Sequence, residues 1–265
     1  MYKESSRSYL RVAFLRVGQG DSIFIETPNG SQFLIDGGPS GSVISEVSAL
    51  MPFYDRSIDT VLISHPDSDH IGGLPDIIQR FRIGNIIQSE VVASSTLHAE
   101  LLRRIKEYKI PVTYARRGQR FVLDAAHGIF VDILFPDRNT SLLETNTASI
   151  VVALRYKKVA IILTGDSPKG VEKFLSEVDG GNVSVNILKL GHHGSHTSSD
   201  EIFLRSFKPA LAIISAGKNN RYGHPHKDVI ERLDRLGIPY TTTLDQRRVF
   251  ESDGTSIWEN VSLED

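Results

Sequence analysis

Short apolar runs that stop on an aspartate or a histidine recur through this chain, and they come in two matched sets. Phe33-Leu34-Ile35 leads into Asp36-Gly37-Gly38, and the run from Thr60 to Ser64 leads into His65, twenty-nine positions after Asp36. Ile161-Ile162-Leu163-Thr164-Gly165 leads into Asp166, and Asn186 to Leu190 leads into Gly191 and His192, twenty-six positions after it. Brief apolar runs bounded by turn formers read as strands buried on both faces. In α/β proteins reactive groups gather in the loops at strand ends, so two such sets facing each other would converge on one cleft.

Further strand-like runs lie at Val12 to Arg16, Ser22 to Glu26, Ile86 to Gln88, Ile129 to Leu134, Ser149 to Leu154, Val159 to Leu163 and Leu211 to Ser215. Helical spacing predicts helices over Val43 to Met51, Gly73 to Phe81, Ser94 to Tyr108, Pro168 to Glu177, Ser199 to Ser206 and His226 to Leu236. Pro168 suits a first helical turn and Gly237 a C-terminal cap. This interleaving makes the chain α/β. No low-complexity or Pro/Gly-rich linker divides it, so residues 1–265 are expected to form one domain built from two related halves, about 1–118 and 119–265.

The chain has no cysteine, which excludes disulfides, thiolate nucleophiles and Cys-ligated metal. Any metal must be held by His, Asp or Glu. The longest apolar stretches, Ala210 to Ile214 and Val159 to Leu163, fall far short of the ~20 residues of a membrane helix. Met1 to Ser8 is too polar for a signal-peptide core, so a cytoplasmic location without membrane contact is expected. The net charge of −2 hides a basic stretch: residues 101–120 hold seven Lys/Arg against Glu107 alone. Such a stretch could follow a phosphate backbone or simply form a solvated helix face.

The richest chemistry lies in Ser64-His65-Pro66-Asp67-Ser68-Asp69-His70-Ile71-Gly72-Gly73. In an extended loop residues 65, 67 and 69 point to one side, and a turn can swing His70 beside them. Carboxylates crowded without counter-charge resist ionising, so the cluster asks for a cation. Four hard or borderline ligands in so short a loop favour a pair of divalent ions. A mere polar turn capping a helix at Gly73 would leave both histidines without a role.

The HxDxDH-Ile-Gly-Gly run resembles the HxHxDH signature of the metallo-β-lactamase fold superfamily, with Asp67 in place of the middle histidine. Leu34-Ile-Asp36-Gly-Gly, Leu163-Thr-Gly-Asp166 and Gly191-His-His193-Gly-Ser195 resemble its accompanying motifs. With Val17-Gly-Gln-Gly-Asp21-Ser22 and Lys218-Asn-Asn-Arg-Tyr-Gly-His224-Pro, the chain resembles the C-terminal hydrolase domain of ComEC-type DNA-uptake proteins from about Leu10 to Phe250.

The resemblance implies a four-layer αββα sandwich holding two divalent ions. His65 and Asp67 would hold one ion, Asp69 and His70 the other, with Asp166 bridging and His193 completing the second site. Asn146 takes the place of the usual third-motif histidine. This oxygen-rich set points to Zn²⁺ or Mn²⁺, with Mg²⁺ a third candidate. The ions would ready a hydroxide to attack a phosphodiester, with Asp69 or Asp36 orienting it. His192 and His224 are expected to serve substrate or a proton, and Asn146, Ser195, Asn220 and Tyr222 to contact substrate. Asp21 reads as a turn residue supporting the metal loops. His98 and His127 read as structural.

The leading expectation is thus a metal-dependent phosphodiesterase or nuclease acting on nucleic acid, DNA before RNA. A small-molecule phosphodiesterase or phosphocholine-type esterase is the alternative. A non-catalytic metal- or ligand-binding regulatory module is the alternative from another class, and the sequence shows no surface for a protein partner.

Overall fold

The computed structural model describes residues 8–181 and 185–263. The polar N-terminal stretch weighed against a signal peptide therefore lies, apart from Ser8, outside the described residues.

Chain order is β1 (Leu10–Phe14), β2 (Ile23–Glu26), β3 (Gln32–Ile35), α1 (Ser42–Leu50), β4 (Ser57–Ile63), α2 (Ser68–Ile71), α3 (Leu74–Arg80), β5 (Arg82–Gln88), α4 (Thr96–Glu107) and β6 (Val112–Tyr114). It continues through β7 (Arg120–Asp124), β8 (Ile129–Phe135), β9 (Val151–Tyr156), β10 (Val159–Leu163), α5 (Lys169–Val178), β11 (Ile187–Lys189), α6 (Glu201–Phe207) and β12 (Leu211–Ile214). Last come α7 (Lys227–Leu236), β13 (Tyr240–Thr242), β14 (Arg248–Ser252) and β15 (Ile257–Glu259).

These strands form two mixed sheets, ordered β15-β14-β1-β2-β3-β4-β5-β6 and β13-β12-β11-β10-β9-β8-β7. The pairing repeats. In the first sheet β14 to β3 pair antiparallel and β3 to β6 parallel; in the second β7 to β10 pair antiparallel and β10 to β13 parallel. Thus β3, which ends at Asp36, corresponds to β10, which ends before Asp166. The second half expected from the sequence, 119–265, feeds both sheets, because β14 and β15 return to the edge of the first.

Strand residues alternate between two apolar environments, as a period of two requires. Phe14, Ile23, Ile25, Phe33 and Ile35 join Val131, Ile133, Val152, Leu154 and Ile161 in the core between the sheets. Ala13, Phe24, Leu34 and Val61 face outward onto Val43 and Val47 of α1, Ile77 of α3 and Leu101 of α4. Ala153, Ile162 and Leu188 face Leu175 of α5, Phe203 of α6 and Leu233 of α7. The result is the expected αββα sandwich.

All predicted helices form, within a few residues of their expected ends. Strands β6, β7, β13, β14 and β15 escaped the sequence reading. β6, β13 and β15 have three residues each, β7 carries exposed positions, and β14 sets Val249 and Phe250 between Arg248, Glu251 and Ser252, so no apolar run marks them. The stretch after His65 is also not the extended loop expected. Ser68 to Ile71 form a helical turn with Asp67 at its N-cap, so Asp69 and His70 project from a helix while Asp67 sits on extended backbone.

A candidate dinuclear metal centre

Because β1, β3, β4 and β5 run in one direction, the loops after them share one end of their sheet. Those after β8, β10, β11 and β12 share the facing end of the other. Two glycine-lined loops lock the first set together. Gly37 donates to the His70 carbonyl oxygen at 2.6 Å and Gly38 to the Asp21 carbonyl oxygen at 2.8 Å. At Gly20 φ is +131°, and a Cβ would collide with the Asp69 carbonyl oxygen, so only glycine lets this loop lie against α2.

From the first set come His65 and His70, both fully buried, with Asp67 and Asp69 nearer the surface. From the second come Asp166 and His193, both buried. His70 Nε2 lies 3.3 Å from Asp166 Oδ1, His193 Nε2 lies 3.4 Å from Asp166 Oδ2, and His65 Nε2 lies 3.9 Å from Asp166 Oδ2. His193 Nε2 also lies 3.3 Å from Asp69 Oδ2, and His65 Nε2 lies 3.7 Å from Asp67 Oδ2. The structure therefore gathers the other five residues expected as ligands about the Asp166 carboxylate, Asp67 through His65 and Asp69 through His193.

The other ring nitrogens are spoken for. His70 Nδ1 sits 2.8 Å from Asp36 Oδ2, and His193 Nδ1 sits 2.9 Å from the Ser215 carbonyl oxygen, to which it can only donate. Asp36 is itself fixed by the Ser64 backbone N–H at 2.8 Å and the Ser64 hydroxyl at 2.6 Å. A proton held on Nδ1 leaves Nε2 with a free lone pair, the form a metal requires. The Nε2 atoms of His65, His70 and His193, with Asp166 Oδ1, are buried and without a hydrogen-bond partner. Buried polar atoms are rarely left so, and four of them converging mark a cation cradle.

Charge points the same way. Burial disfavours charge on His65 and holds its pKa down at about 3, the neutral ligand form. Burial opposes protonation of His70 and His193 as well, but the Asp166 carboxylate, with Asp36 for His70 and Asp21 for His193, outweighs it and raises both. Burial also opposes ionisation of Asp166, yet those two imidazoles keep it well below the usual carboxylate range.

Asp36 is the exception among the carboxylates nearest His70: burial raises its pKa, and the His70 contact only partly offsets this. Burial raises Asp67 too, against a hydrogen bond from the Thr145 side chain.

The adjacent histidines divide cleanly. Both adopt left-handed backbone, φ 48° at His192 and 56° at His193, in a turn closed by Ser195 N–H on the His192 carbonyl oxygen at 2.8 Å. Non-glycine residues seldom adopt this conformation, and pairs of them cluster at functional sites. It sends His193 to the floor and His192 to the rim. There His192 Nε2 lies 3.7 Å from Asp166 Oδ2 and its Nδ1 meets Thr197 Oγ1 at 3.0 Å.

His224 lies beside this rim, its ring 5.4 Å from that of His192 and 6.1 Å from that of His193. Burial, then the neighbouring histidines, push its pKa down to about 4, so it is neutral near pH 7. Tyr222, half exposed, stacks on His224 at 5.6 Å and 19°.

Two residues expected to contact substrate also have partners within the protein. Asn220 Nδ2 donates to the Gly217 and His224 carbonyl oxygens at 2.8 and 2.6 Å, and its Oδ1 accepts the His224 N–H at 2.9 Å; its amide braces the loop that carries His224. Ser195 is buried, and its hydroxyl accepts from Thr197 Oγ1 at 3.0 Å inside its own turn. Asn146 opens the turn beside Thr145, and its Oδ1 is buried without a partner.

The basic stretch over residues 101–120 is also not what its composition suggested. Arg103 pairs with Glu100 and Glu107, Arg104 with Glu100, Arg116 with Glu90, Arg117 with Asp179 and Arg120 with Asp132. Those acids lie mostly outside the window, so counting within it overstated the local positive charge.

One site residue, Lys189, went unrecognised in the sequence, and Asp21, expected to support the metal loops, makes closer contacts than that reading described. Asp21, read as a turn residue, brings a carboxylate oxygen within 4.8 Å of ligand atoms of His70, Asp166 and His193. Its recorded approaches run to the Nδ1 edges, 3.5 Å for His193 and 3.9 Å for His70, so it stands behind the rings rather than at their free nitrogens. Lys189 reads in sequence as part of a strand; a lysine between the apolar Ile187-Leu188 and Leu190 is the available signal.

The family model "Metallo-beta-lactamase superfamily" matches residues 15–218. Among curated proteins, the chain is 30% identical over 244 residues to ComE operon protein 3 of Bacillus subtilis, which covers 86% of this chain and 31% of the relative. It is 30% identical over 240 residues to Recombination protein 2 of Haemophilus influenzae, covering 89% of this chain and 28% of that one. The chain thus spans about a third of the length of these relatives. Among solved structures, the fold is similar to CmlA, a diiron beta-hydroxylase from Streptomyces venezuelae, with TM-score 0.56 and 16% identity over 91% of this chain and 53% of that one. It is also similar to a diphosphatase of the PhnP family, with TM-score 0.51 and 15% identity over 91% of this chain and 98% of that one.

Proposed function

This chain belongs to the metallo-beta-lactamase superfamily and is a metal-dependent hydrolase, and from that premise we propose that it is a phosphodiesterase acting on nucleic acid, DNA before RNA. The observation that carries the reading is the set of three partnerless imidazole nitrogens around one buried aspartate. Similarity to Recombination protein 2 of Haemophilus influenzae supports the choice of nucleic acid.

The residues fit a metal pair. His65, Asp67 and Asp166 would hold one ion; Asp69, His70, His193 and Asp166 would hold the other. With neutral imidazoles, Asp21, Asp36, Asp67, Asp69 and Asp166 against Lys189 leave an excess of four negative charges, which two divalent cations neutralise. The oxygen-rich first position favours Mn²⁺ or Zn²⁺, with Mg²⁺ next. When bound, such ions polarise phosphoryl oxygens and lower the pKa of water.

The chain's own residues do the rest. Asp36 and the Ser215 carbonyl aim His70 and His193. Asn220 clamps the loop that presents His224, whose neutral ring can donate a hydrogen bond to a phosphate oxygen. Gln19 Nε2 lies 3.4 Å from His224 Nδ1 and helps set its orientation.

A second reading, a small-molecule phosphodiesterase, is favoured by the pairing of the arginines over 103–120, which removes the basic track a long polyanion would follow. The deciding experiment offers plasmid, a labelled oligonucleotide and bis(p-nitrophenyl) phosphate to the protein with Mn²⁺ or Zn²⁺, beside Asp69→Ala and Asp166→Ala. Metal-stimulated cleavage of the nucleic acids, lost in both variants, supports the nuclease. Turnover of the chromogenic ester alone moves the assignment to a small substrate, and no turnover of any of the three by the metal-loaded protein refutes the phosphodiesterase reading.

A further inference from the structure

Lys189 is fully buried, at the end of β11. Its ammonium makes an ion pair with Asp21 Oδ2, donates to the Gly165 carbonyl oxygen at 2.9 Å, and lies 3.8 Å from Asp166 Oδ1. Every group around the nitrogen is an oxygen, two from carboxylates and one from a carbonyl, which is the surrounding a hard cation takes. A buried lysine charge persists only where such partners replace its water. Asp21 comes from the loop after β1 and Lys189 from the opposite sheet, so the pair also ties the two sheets together behind His70 and His193.

We propose that Lys189 is a tethered cation of this centre. Its ammonium fills the inner end of the acidic cleft, keeps Asp21 behind the imidazoles and out of the coordination shell, and confines exchangeable ions to the Nε2 side. Its fixed charge also repels those ions across Asp166, which holds their affinity below what the carboxylates alone would give.

This inference rests on the metal-binding reading of the site, and the signs of the effects separate it from a packing role. If Lys189 and Asp21 merely filled space, their replacement would weaken metal binding and folding together. A tethered cation gives opposite signs: Lys189→Met lowers the stability of the metal-free protein, because Asp21 loses its partner, while it tightens metal binding. Asp21→Asn weakens metal binding. The double variant Asp21→Asn/Lys189→Met removes one charge of each sign and returns near the wild-type affinity.

The experiment is calorimetric titration of Mn²⁺ into the EDTA-stripped, dialysed full chain and its three variants, with thermal melts of each before and after loading. The expected pattern is at least about tenfold tighter binding in Lys189→Met, at least about tenfold weaker in Asp21→Asn, and the double variant within about threefold of wild type. Weaker binding in Lys189→Met, or a double variant that binds as poorly as Asp21→Asn, overturns the proposal. Should Lys189→Met not fold, the double variant against Asp21→Asn decides by the same criterion. Wild-type protein that binds neither Mn²⁺ nor Zn²⁺ would overturn the metal reading itself, whereas wild-type binding with all variants weakened would overturn this inference alone.

Discussion

Asp36→Asn is the sharpest probe of how the protein prepares its histidines. Asp36 is completely buried at φ 60°, a conformation that asparagine tolerates, so the backbone need not move. The amide oxygen can still accept from the Ser64 backbone N–H. Its NH₂ group, however, takes the place of Oδ2, which now accepts from the Ser64 hydroxyl and faces His70 Nδ1 at 2.8 Å. The hydroxyl can rotate away. His70 can keep a hydrogen bond there only by accepting at Nδ1, which moves its proton to Nε2 and removes the lone pair needed at the cradle. Loss of an orienting partner of this kind costs about 10- to 100-fold in metal affinity, or about 1.4–2.7 kcal/mol. Calorimetric titration with Mn²⁺ or Zn²⁺ reads this directly, and Asp36→Glu serves as a control that keeps the charge but not the distance. Wild-type affinity in Asp36→Asn would show that His70 does not depend on Asp36 for its tautomer and would refute the argument.

Three further outcomes follow. Glu172 is buried, accepting the Ser199 and Asp200 N–H groups at 2.7 and 2.8 Å, and burial raises its pKa from 4.5 to about 7. A carboxyl whose folded pKa lies above its unfolded one favours the fold most at low pH. Stability should therefore fall by about 3 kcal/mol between pH 4.5 and 7.5 on its account, a slope missing from Glu172→Gln in urea melts across that range. His224→Ala should lower kcat/KM about tenfold for an alkyl phosphodiester and a p-nitrophenyl ester alike, because the neutral ring's hydrogen bond goes to a phosphate oxygen that both share; a loss confined to the alkyl ester would refute that role. Arg103→Ala should leave the thermal melt essentially unchanged, because its pairs are exposed, and should leave oligonucleotide KM and its salt dependence unaltered. A steeper KM would restore α4 as a nucleic-acid contact.

Much of this molecule is legible in its sequence, for identifiable reasons. Strands buried on both faces, such as β3 and β10, read as unbroken apolar runs, and the helices between them carry their own spacing and caps. Edge strands do not announce themselves: β7 alternates exposed and half-buried side chains, and β15 has only three residues. The ligand cluster was legible because His65, Asp67, Asp69 and His70 are neighbours in sequence and ask jointly for a cation. The contact between Asp21 and Lys189 was not, because each looks ordinary alone and the two lie 168 positions apart. The arginines over 103–120 erred in the same direction. A local count sees charges but not Asp132, Asp179 or Glu90, which the fold brings to them from elsewhere.

The same reasoning explains why this centre needs both sheets. The first supplies His65, Asp67, Asp69 and His70 from loops locked by backbone hydrogen bonds, and this set alone would be an open, solvated cluster. The second supplies Asp166 and His193 at the facing strand ends, and their approach is what buries the Nε2 atoms and strips them of water. Burial makes those nitrogens ligands rather than solvated bases, since a desolvated lone pair has no partner until a cation arrives. Bringing the two loop sets together also forces carboxylates of both onto one another, a repulsion that the core between the sheets must overcome when metal is absent. Lys189 meets part of it from within, paired across the sheets with Asp21. The remaining negative charge lies between the two loop sets, so the place where a divalent ion would be held exists only where both sheets meet.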